Sequence, residues 1–500
     1  MVWQKDHNAT IIGVHFAGQA MVHPFEFPLE LPAKGSRQRQ AALHAQLRAA
    51  ILDGRLKPGL RLPATRELAQ ALQLSRNTVV AAYDLLLSEG YVVARRGAGN
   101  YVADLMERRA RARSTAAEAG GDRRLAPYWR EARPPAPSPP PGAFAYDFRL
   151  GVPDTRQFPF EVWRRLSARA LRGVSRLPSM SGQSRGRPVL REAIAQHVSF
   201  ARAVACDPDD VMVTSGAQQA FDLLARVLVT PGRTVVAVED PGYTPLRAAF
   251  AAAGAKVVPV PVDGEGIVVE RIPAEARVIY VTPSHQFPLG MSMSPRRRAE
   301  LLAHAAARGA TVIEDDYDGE FRYGGRPLDA LQTLDCEGSV CYVGTFSKCL
   351  FPALRIGYVV APPWLLPALA AAKELADWHC DVPAQDTLAA FIAEGHLARH
   401  VRRMRNVYAE RREALLDALA RHGLEAWPSD AGLHLSARLP AKLRTDVLVE
   451  QAAGQGVRIE GLDGYTFGRV ASNGLALGYG LMETRRMEEA VRRIARLLPR

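Results

Sequence analysis

The sequence predicts two folded parts: a small α+β unit of three helices and a hairpin, then a large α/β domain on a mainly parallel sheet. Three observations carry this reading. At 500 residues the chain is too long for one ordinary core. Residues 38–104 show helical periodicity and then a Gly-punctuated hairpin pattern. From Tyr146 onward, apolar runs alternate with amphipathic helices, the pattern of a parallel sheet covered on both faces. Between the two parts, residues 105–145 turn Arg-rich and then Pro-rich, ending in RPPAPSPPPGA. Such a stretch buries no core and reads as a linker. The expected parts are thus 38–104, 105–145 and 146–500.

Bulk properties exclude several classes. The chain is 48% hydrophobic and 23% charged, an ordinary globular balance. No run of about 18 apolar residues occurs, so no membrane span is expected. The apolar stretch Ile11–Val22 is broken by His15 and Gln19 and has no cleavage signature, so it does not read as a signal peptide. A cytoplasmic protein is expected. Residues before Met21 precede the recognisable pattern and read as a mis-assigned start or a tail. The five cysteines form no Cys-x-x-Cys pair and no metal-ligand spacing with His, so no metal site is expected. Cys349 reads as a small buried hydrophobe. The net charge is +12, and residues 1–150 carry 21 Lys/Arg against 13 Asp/Glu, a surplus of +8. That asymmetry favours a polyanionic partner for the N-terminal part.

The first helix is expected over Gln38–Asp53, with Leu43, Leu47, Ile51 and Leu52 at helical spacing and Gly54 as its stop. Lys57–Pro63 reads as a turn. A second helix covers Thr65–Leu72, with Thr65 as N-cap, and Ser75 caps a third over Arg76–Ser88. Leu68, Leu72, Leu74, Val79, Tyr83 and Leu86 form the expected core. The third helix opens with Arg76, Asn77 and Thr78, a cation, an amide and a hydroxyl suited to phosphates and base edges. Gly90–Ala103 reads as two strands around Gly97 and Gly99, with Arg95 and Arg96 at the tip. Helix, turn, helix and basic wing in this order resemble the GntR-type winged helix-turn-helix, matched almost throughout Leu43–Val102. The resemblance implies that Arg66, Arg76, Thr78 and Gly97 lie at the DNA. It implies a double-stranded DNA operator as partner.

In the large domain the strand runs are Val211–Ser215, Thr234–Asp240, Arg277–Pro283, Thr311–Asp316 and Val340–Thr345. Lys348 follows a buried strand end and precedes an apolar loop. In such a place its amine loses charge and can form a Schiff base with an aldehyde. Thr345, Ser347 and Arg355 could hold a phosphate, as could the N–H groups near Ala217 and Gln218 at a helix start. The acidic run Glu314–Asp318 ends a buried strand, where one carboxylate could pair with a protonated pyridine nitrogen. Tyr243, at another strand end, could stack on a ring. His285 reads either as a ligand contact or as a satisfied structural histidine.

Taken together, residues from Tyr146 onward resemble fold-type I aminotransferases. The whole chain is similar to the MocR/GabR family of regulators, through TPSHQFPLG, EDDYDGEFRY, GTFSKCLFPALRIGY and EGHLARHVRRMRNVYAERR. The resemblance implies pyridoxal 5'-phosphate as cofactor and Lys348 as the Schiff-base lysine. It implies Asp315 on the pyridine nitrogen, Tyr317 on the ring hydroxyl and Tyr243 stacked on the ring. Ala217, Gln218, Thr345, Ser347 and Arg355 would surround the phosphate. It further implies a head-to-tail homodimer and a regulator whose large domain senses the cofactor, an amine or an amino acid. The alternative is a working aminotransferase with an appended DNA-binding domain. Two positions depart from the aminotransferase pattern. Gln286-Phe287-Pro288-Leu289-Gly290 stands where an Asn-Pro-Thr-Gly-like turn is usual, and Ala476 stands near the expected substrate-carboxylate arginine.

Overall fold

The computed structural model describes residues 25, 27–33, 36, 38–95, 98–104, 123–132, 139–140, 142–175, 183–324, 329–467 and 473–499. Ile11–Val22, Arg96, Gly97 and much of the expected linker lie outside these. The chain divides into two compact units, residues 1–131 and 132–500.

The first unit holds helices α1 (Arg39–Leu52), α2 (Thr65–Ala71) and α3 (Arg76–Ser88), then the antiparallel pair β1 (Val92–Arg95) and β2 (Gly99–Val102). Leu43, Leu47, Leu68, Val79, Tyr83 and Leu86 are buried together, while Leu72 and Leu74 pack on that cluster half-buried. Two local readings need correction. Ala64, not Thr65, is the N-cap of α2: its N–H is taken by the Glu67 carboxylate at 3.0 Å, so a side chain three residues on does the capping. The Lys57–Pro63 turn also adds an edge to the wing, with Gly59 N–H and Leu62 N–H donating to the Val102 and Asn100 carbonyls. Four residues, Gly59–Leu62, are too few to show strand alternation in a sequence. In the expected linker, Pro127–Glu131 forms one short helical turn rather than extended chain.

The second unit is built on an eight-stranded sheet. Its strands are β4 (Val211–Thr214), β5 (Val235–Asp240), β6 (Lys256–Asp263), β7 (Gly266–Ile267), β8 (Ala276–Val281), β9 (Thr311–Asp316), β10 (Val340–Thr345) and β11 (Gly357–Val360). Their order is β4-β11-β10-β9-β8-β5-β6-β7. Neighbouring pairs from β10 to β6 are parallel, while β11 and β7 run antiparallel to theirs. Period-2 alternation sends Val236 and Val238 into one buried layer and Val235 and Ala237 into the opposite one. Both faces are covered, which is why these strands read as unbroken apolar runs. A smaller sheet, β12 (His434–Arg438), β15 (Gly474–Gly478) and β14 (Glu460–Gly461), follows the long helix His396–Arg421. β3 (Tyr146–Asp147) pairs with β13 (Val457–Arg458). No described helix is long and apolar enough to cross a membrane.

Candidate cofactor site and DNA-binding face

In open parallel sheets, ligands bind beyond the carboxyl ends of the strands. Here the ends of β5, β8, β9 and β10 bring the expected residues together. Lys348 stands three residues past β10, and its Nζ donates to the Gly151 carbonyl at 2.9 Å. Gly151 has φ +64, and a Cβ there would lie 2.4 Å from Nζ, so only glycine leaves the amine this place. Burial pushes the Lys348 amine below its ordinary range, against the opposing charges of Asp318 and Asp315.

Along β9 the alternation puts Glu314 and Asp316 on one face and Asp315 on the other. Glu314 accepts the Leu331 and Gln332 N–H groups at 2.8 and 2.9 Å. Asp316 is held at 2.6 Å by both Arg202 Nε and the Tyr342 hydroxyl. Asp315 differs. Its Oδ2 accepts the Tyr280 hydroxyl at 2.7 Å, but its buried Oδ1 has no hydrogen-bond partner. Burial pushes the Asp315 carboxyl up to about 7, against the Tyr280 bond. A lone buried carboxylate oxygen is costly unless a hydrogen-bond donor or a cation meets it. The protonated ring nitrogen of pyridoxal phosphate is such a group, and Asp315 fits it.

A second group of polar residues gathers at the helix that follows β4 and at the segment after β10. The helix Ala217–Leu228 opens at Gly216, whose φ is +79. A Cβ at Gly216 would meet the Arg355 guanidinium at 2.8 Å, so the glycine lets the cation approach the helix start. Arg355 itself takes a left-handed φ of +52 and donates to the Ser215 carbonyl at 3.0 Å. Thr345 Oγ1 donates to Ser347 Oγ and accepts Ser347 N–H. Gln218 turns its amide to the Pro245 carbonyl, leaving its buried Oε1 without a partner. Tyr243 lies edge-on to Phe287 and Phe221. Tyr317 donates its hydroxyl to the His285 carbonyl at 2.9 Å. The Phe287 side chain carries no hydrogen-bonding group, and buried Ala476 packs with Leu289, Met291, Trp427 and Leu462.

In the first unit Arg66, Arg76, Asn77 and Arg95 are exposed. Ser75 caps α3 by accepting Thr78 N–H at 3.1 Å, and its hydroxyl also meets the Thr78 hydroxyl at 2.8 Å. Thr78 is therefore partly engaged in the cap. The Arg95 guanidinium lies 4.5 Å from the Tyr101 ring centre. Arg61, whose guanidinium lies against Gly99, joins this basic edge. Sequence reasoning missed it because the segment was read for its Pro and Gly. It also missed Gly151 and Tyr280, which act only through Lys348 and Asp315.

A winged helix ahead of a fold with these strand-end groups defines a class of protein: a DNA-binding transcription regulator carrying a pyridoxal-phosphate-dependent fold. Two families match in that order, bacterial regulatory proteins of the gntR family over residues 39–102 and aminotransferase class I and II over residues 147–494. The chain belongs to the MocR family of regulators. It is 40% identical to the probable rhizopine catabolism regulatory protein MocR of Rhizobium meliloti, over 90% of this chain and 91% of that one. It is 33% identical to the pyridoxine biosynthesis regulator PdxR of Corynebacterium glutamicum, over 91% and 95%. Among solved structures it resembles Pyrococcus horikoshii kynurenine aminotransferase at TM-score 0.66 and 27% identity, covering 79% of this chain and 94% of that one.

Proposed function

We propose that residues 146–500 sense pyridoxal phosphate, alone or with an amine or amino acid, and thereby bias how residues 38–104 engage an operator. The observation that carries this reading is the unpartnered Asp315 Oδ1 in a pocket that also holds the Lys348 amine. Bound there, the cofactor supplies an aldehyde that condenses with amines and a ring that withdraws electrons. Lys348 is the residue that bonds to it. Asp315 meets the ring nitrogen, Tyr317 holds the ring hydroxyl and Tyr243 covers the ring. Ala217, Gln218, Thr345, Ser347 and Arg355 hold the phosphate. On the DNA side, Arg66, Arg76, Asn77, Thr78, Arg95, Arg96 and Gly97 form the contact face. The protein acts as a head-to-tail homodimer in the cytoplasm, its two parts joined by residues 105–145.

A second reading, a working aminotransferase, rests on the intact Lys348 constellation. Ala476 weighs against it, because its methyl sits among apolar side chains and offers no partner for a substrate carboxylate. Borohydride reduction of the purified protein with pyridoxal phosphate should fix the cofactor to Lys348, and Lys348→Ala should abolish the trapping. A coupled dehydrogenase assay over amines and amino acids should detect little or no keto acid. Trapping that persists in the variant would remove the lysine assignment. Turnover at ordinary aminotransferase rates would favour the second reading.

A further inference from the structure

Beside Lys348, and outside the residues assigned above, lies a closed group of three buried side chains: His285, Asp318 and His434. Both Asp318 oxygens lie 3.1–3.2 Å from His285 Nδ1, and Oδ2 also accepts Leu433 N–H at 3.3 Å. The same Nδ1 lies 2.9 Å from the Tyr317 hydroxyl oxygen. That hydroxyl gives its proton to the His285 carbonyl, so the ring N–H is the donor shared by Asp318 and Tyr317. His285 Nε2 stands 3.2 Å from Ser429 Oγ. His434 lies 4.6 Å from the His285 ring and spends its Nε2 on the Pro288 carbonyl at 3.0 Å. Burial pushes it well below its ordinary range, which favours the neutral ring. Gly432 closes the group. At φ +79, a Cβ there would lie 2.1 Å from His285 Cε1 and 2.4 Å from Asp318 Oδ2.

We propose that Asp318 and His285 are positioning residues of the Lys348 site. The carboxylate aims the imidazole, and the imidazole holds Tyr317 by its oxygen. The Asp318 charge sets the field in which the lysine nitrogen takes and releases its proton. The proposal rests on the cofactor reading of the site. Lys348 is faced by Asp318, Asp315, Arg355 and His434, and Asp318 is the foremost charge favouring its protonated form. Asp318 is in turn faced by His285, Tyr317, Tyr323 and Tyr479. Its burial argues against direct contact with an amine or amino acid. The same three residues offer ligand atoms within 4.8 Å of one another, so a metal ion is the competing occupant.

The test is a pH titration of the visible absorption of the full-length protein loaded with pyridoxal phosphate. Removing a buried negative charge near a cationic nitrogen favours its neutral form. Asp318→Asn should therefore lower the titration midpoint by on the order of one pH unit. His285→Gln, which keeps an N–H donor, should move it less. The effects of Asp318→Asn and Tyr317→Phe should be non-additive, because both act through one hydrogen-bonded chain. Borohydride trapping on Lys348 should survive in Asp318→Asn and His285→Gln, which separates this proposal from the reading it rests on. Loss of trapping in the wild type would sink both. Variants that melt at lower temperature with an unmoved midpoint would overturn the proposal, leaving the pair a purely structural one. Stoichiometric metal in the purified protein, lost on Asp318→Asn, would overturn it in favour of a metal centre.

Discussion

Asp315 is where the electrostatics of single residues become measurable. Burial raises its carboxyl to about 7, and raises that of neighbouring Glu239, whose Oε1 is likewise unpartnered, to about 7. A carboxyl raised on folding contributes stability that is complete below its unfolded range near 4 and is lost as pH rises through its folded value. The cofactor-free protein should therefore lose thermal stability between about pH 4 and about pH 8. Pyridoxal phosphate should reduce that slope by supplying a cation to Asp315. Asp315→Asn should remove its own share of that slope without cofactor, leaving the shares of Glu239 and Glu314, which burial also raises to about 7, and should weaken cofactor binding about 10- to 100-fold, the loss of one charge-assisted bond. Melting curves over pH, with and without cofactor, read both effects. An unchanged slope in Asp315→Asn would put the titrating group elsewhere.

Helix α3 separates stability from recognition within a single turn. Ser75 satisfies Thr78 N–H, an orphan donor of the helix start. Ser75→Ala should cost about 1 kcal/mol of stability, seen as a lower melting temperature, and should disturb DNA binding only through that loss. Arg76 is exposed, so Arg76→Ala should leave melting unchanged. If it meets a base, operator affinity should fall by on the order of 1–3 kcal/mol with specificity relaxed at one position. Should Arg76→Ala bind every DNA as the wild type does, the assignment of this face is wrong. The cap and the periodicity of α3 were legible in the sequence because both are local. So were β9 and β10, whose apolar runs coincide with their bounds. What stayed hidden was set by tertiary packing. The Gly59–Leu62 edge forms its bridge only because β2 lies beside it. Tyr280 matters only because β8 brings it to Asp315, and Gly151 only because its carbonyl reaches Lys348 across 197 residues of chain. Lys348 itself was read from the strand end before it and the apolar loop after it, with Thr345, Ser347 and Arg355 nearby, whereas the His285–Asp318 pairing joins two segments no local pattern connects.

At the scale of the molecule, sensing requires that a ligand in residues 146–500 change the affinity of residues 38–104 for DNA. A ligand does so only by binding two conformations unequally, and the shift is bounded by that difference. Couplings of this kind are about 1–3 kcal/mol, so operator affinity should change about 5- to 150-fold on adding pyridoxal phosphate or the right amine. Linkage makes the coupling reciprocal. Saturating operator DNA should change the affinity for the cofactor by the same factor, measurable by titrating the visible absorption with and without DNA. Lys348→Ala should keep the operator affinity of the cofactor-free wild type and lose the response. Arg76→Ala should do the reverse, lowering affinity while the fold-response to ligand stays. If Arg76 meets only a phosphate, the slope of log affinity against log salt should fall by about one unit. The two variants thus lesion opposite ends of one thermodynamic cycle. Operator affinity constant to within a factor of about two across cofactor and an amine panel, in full-length wild type, would leave no coupling free energy to explain. The large domain would then be an enzyme or a structural passenger, and not a sensor.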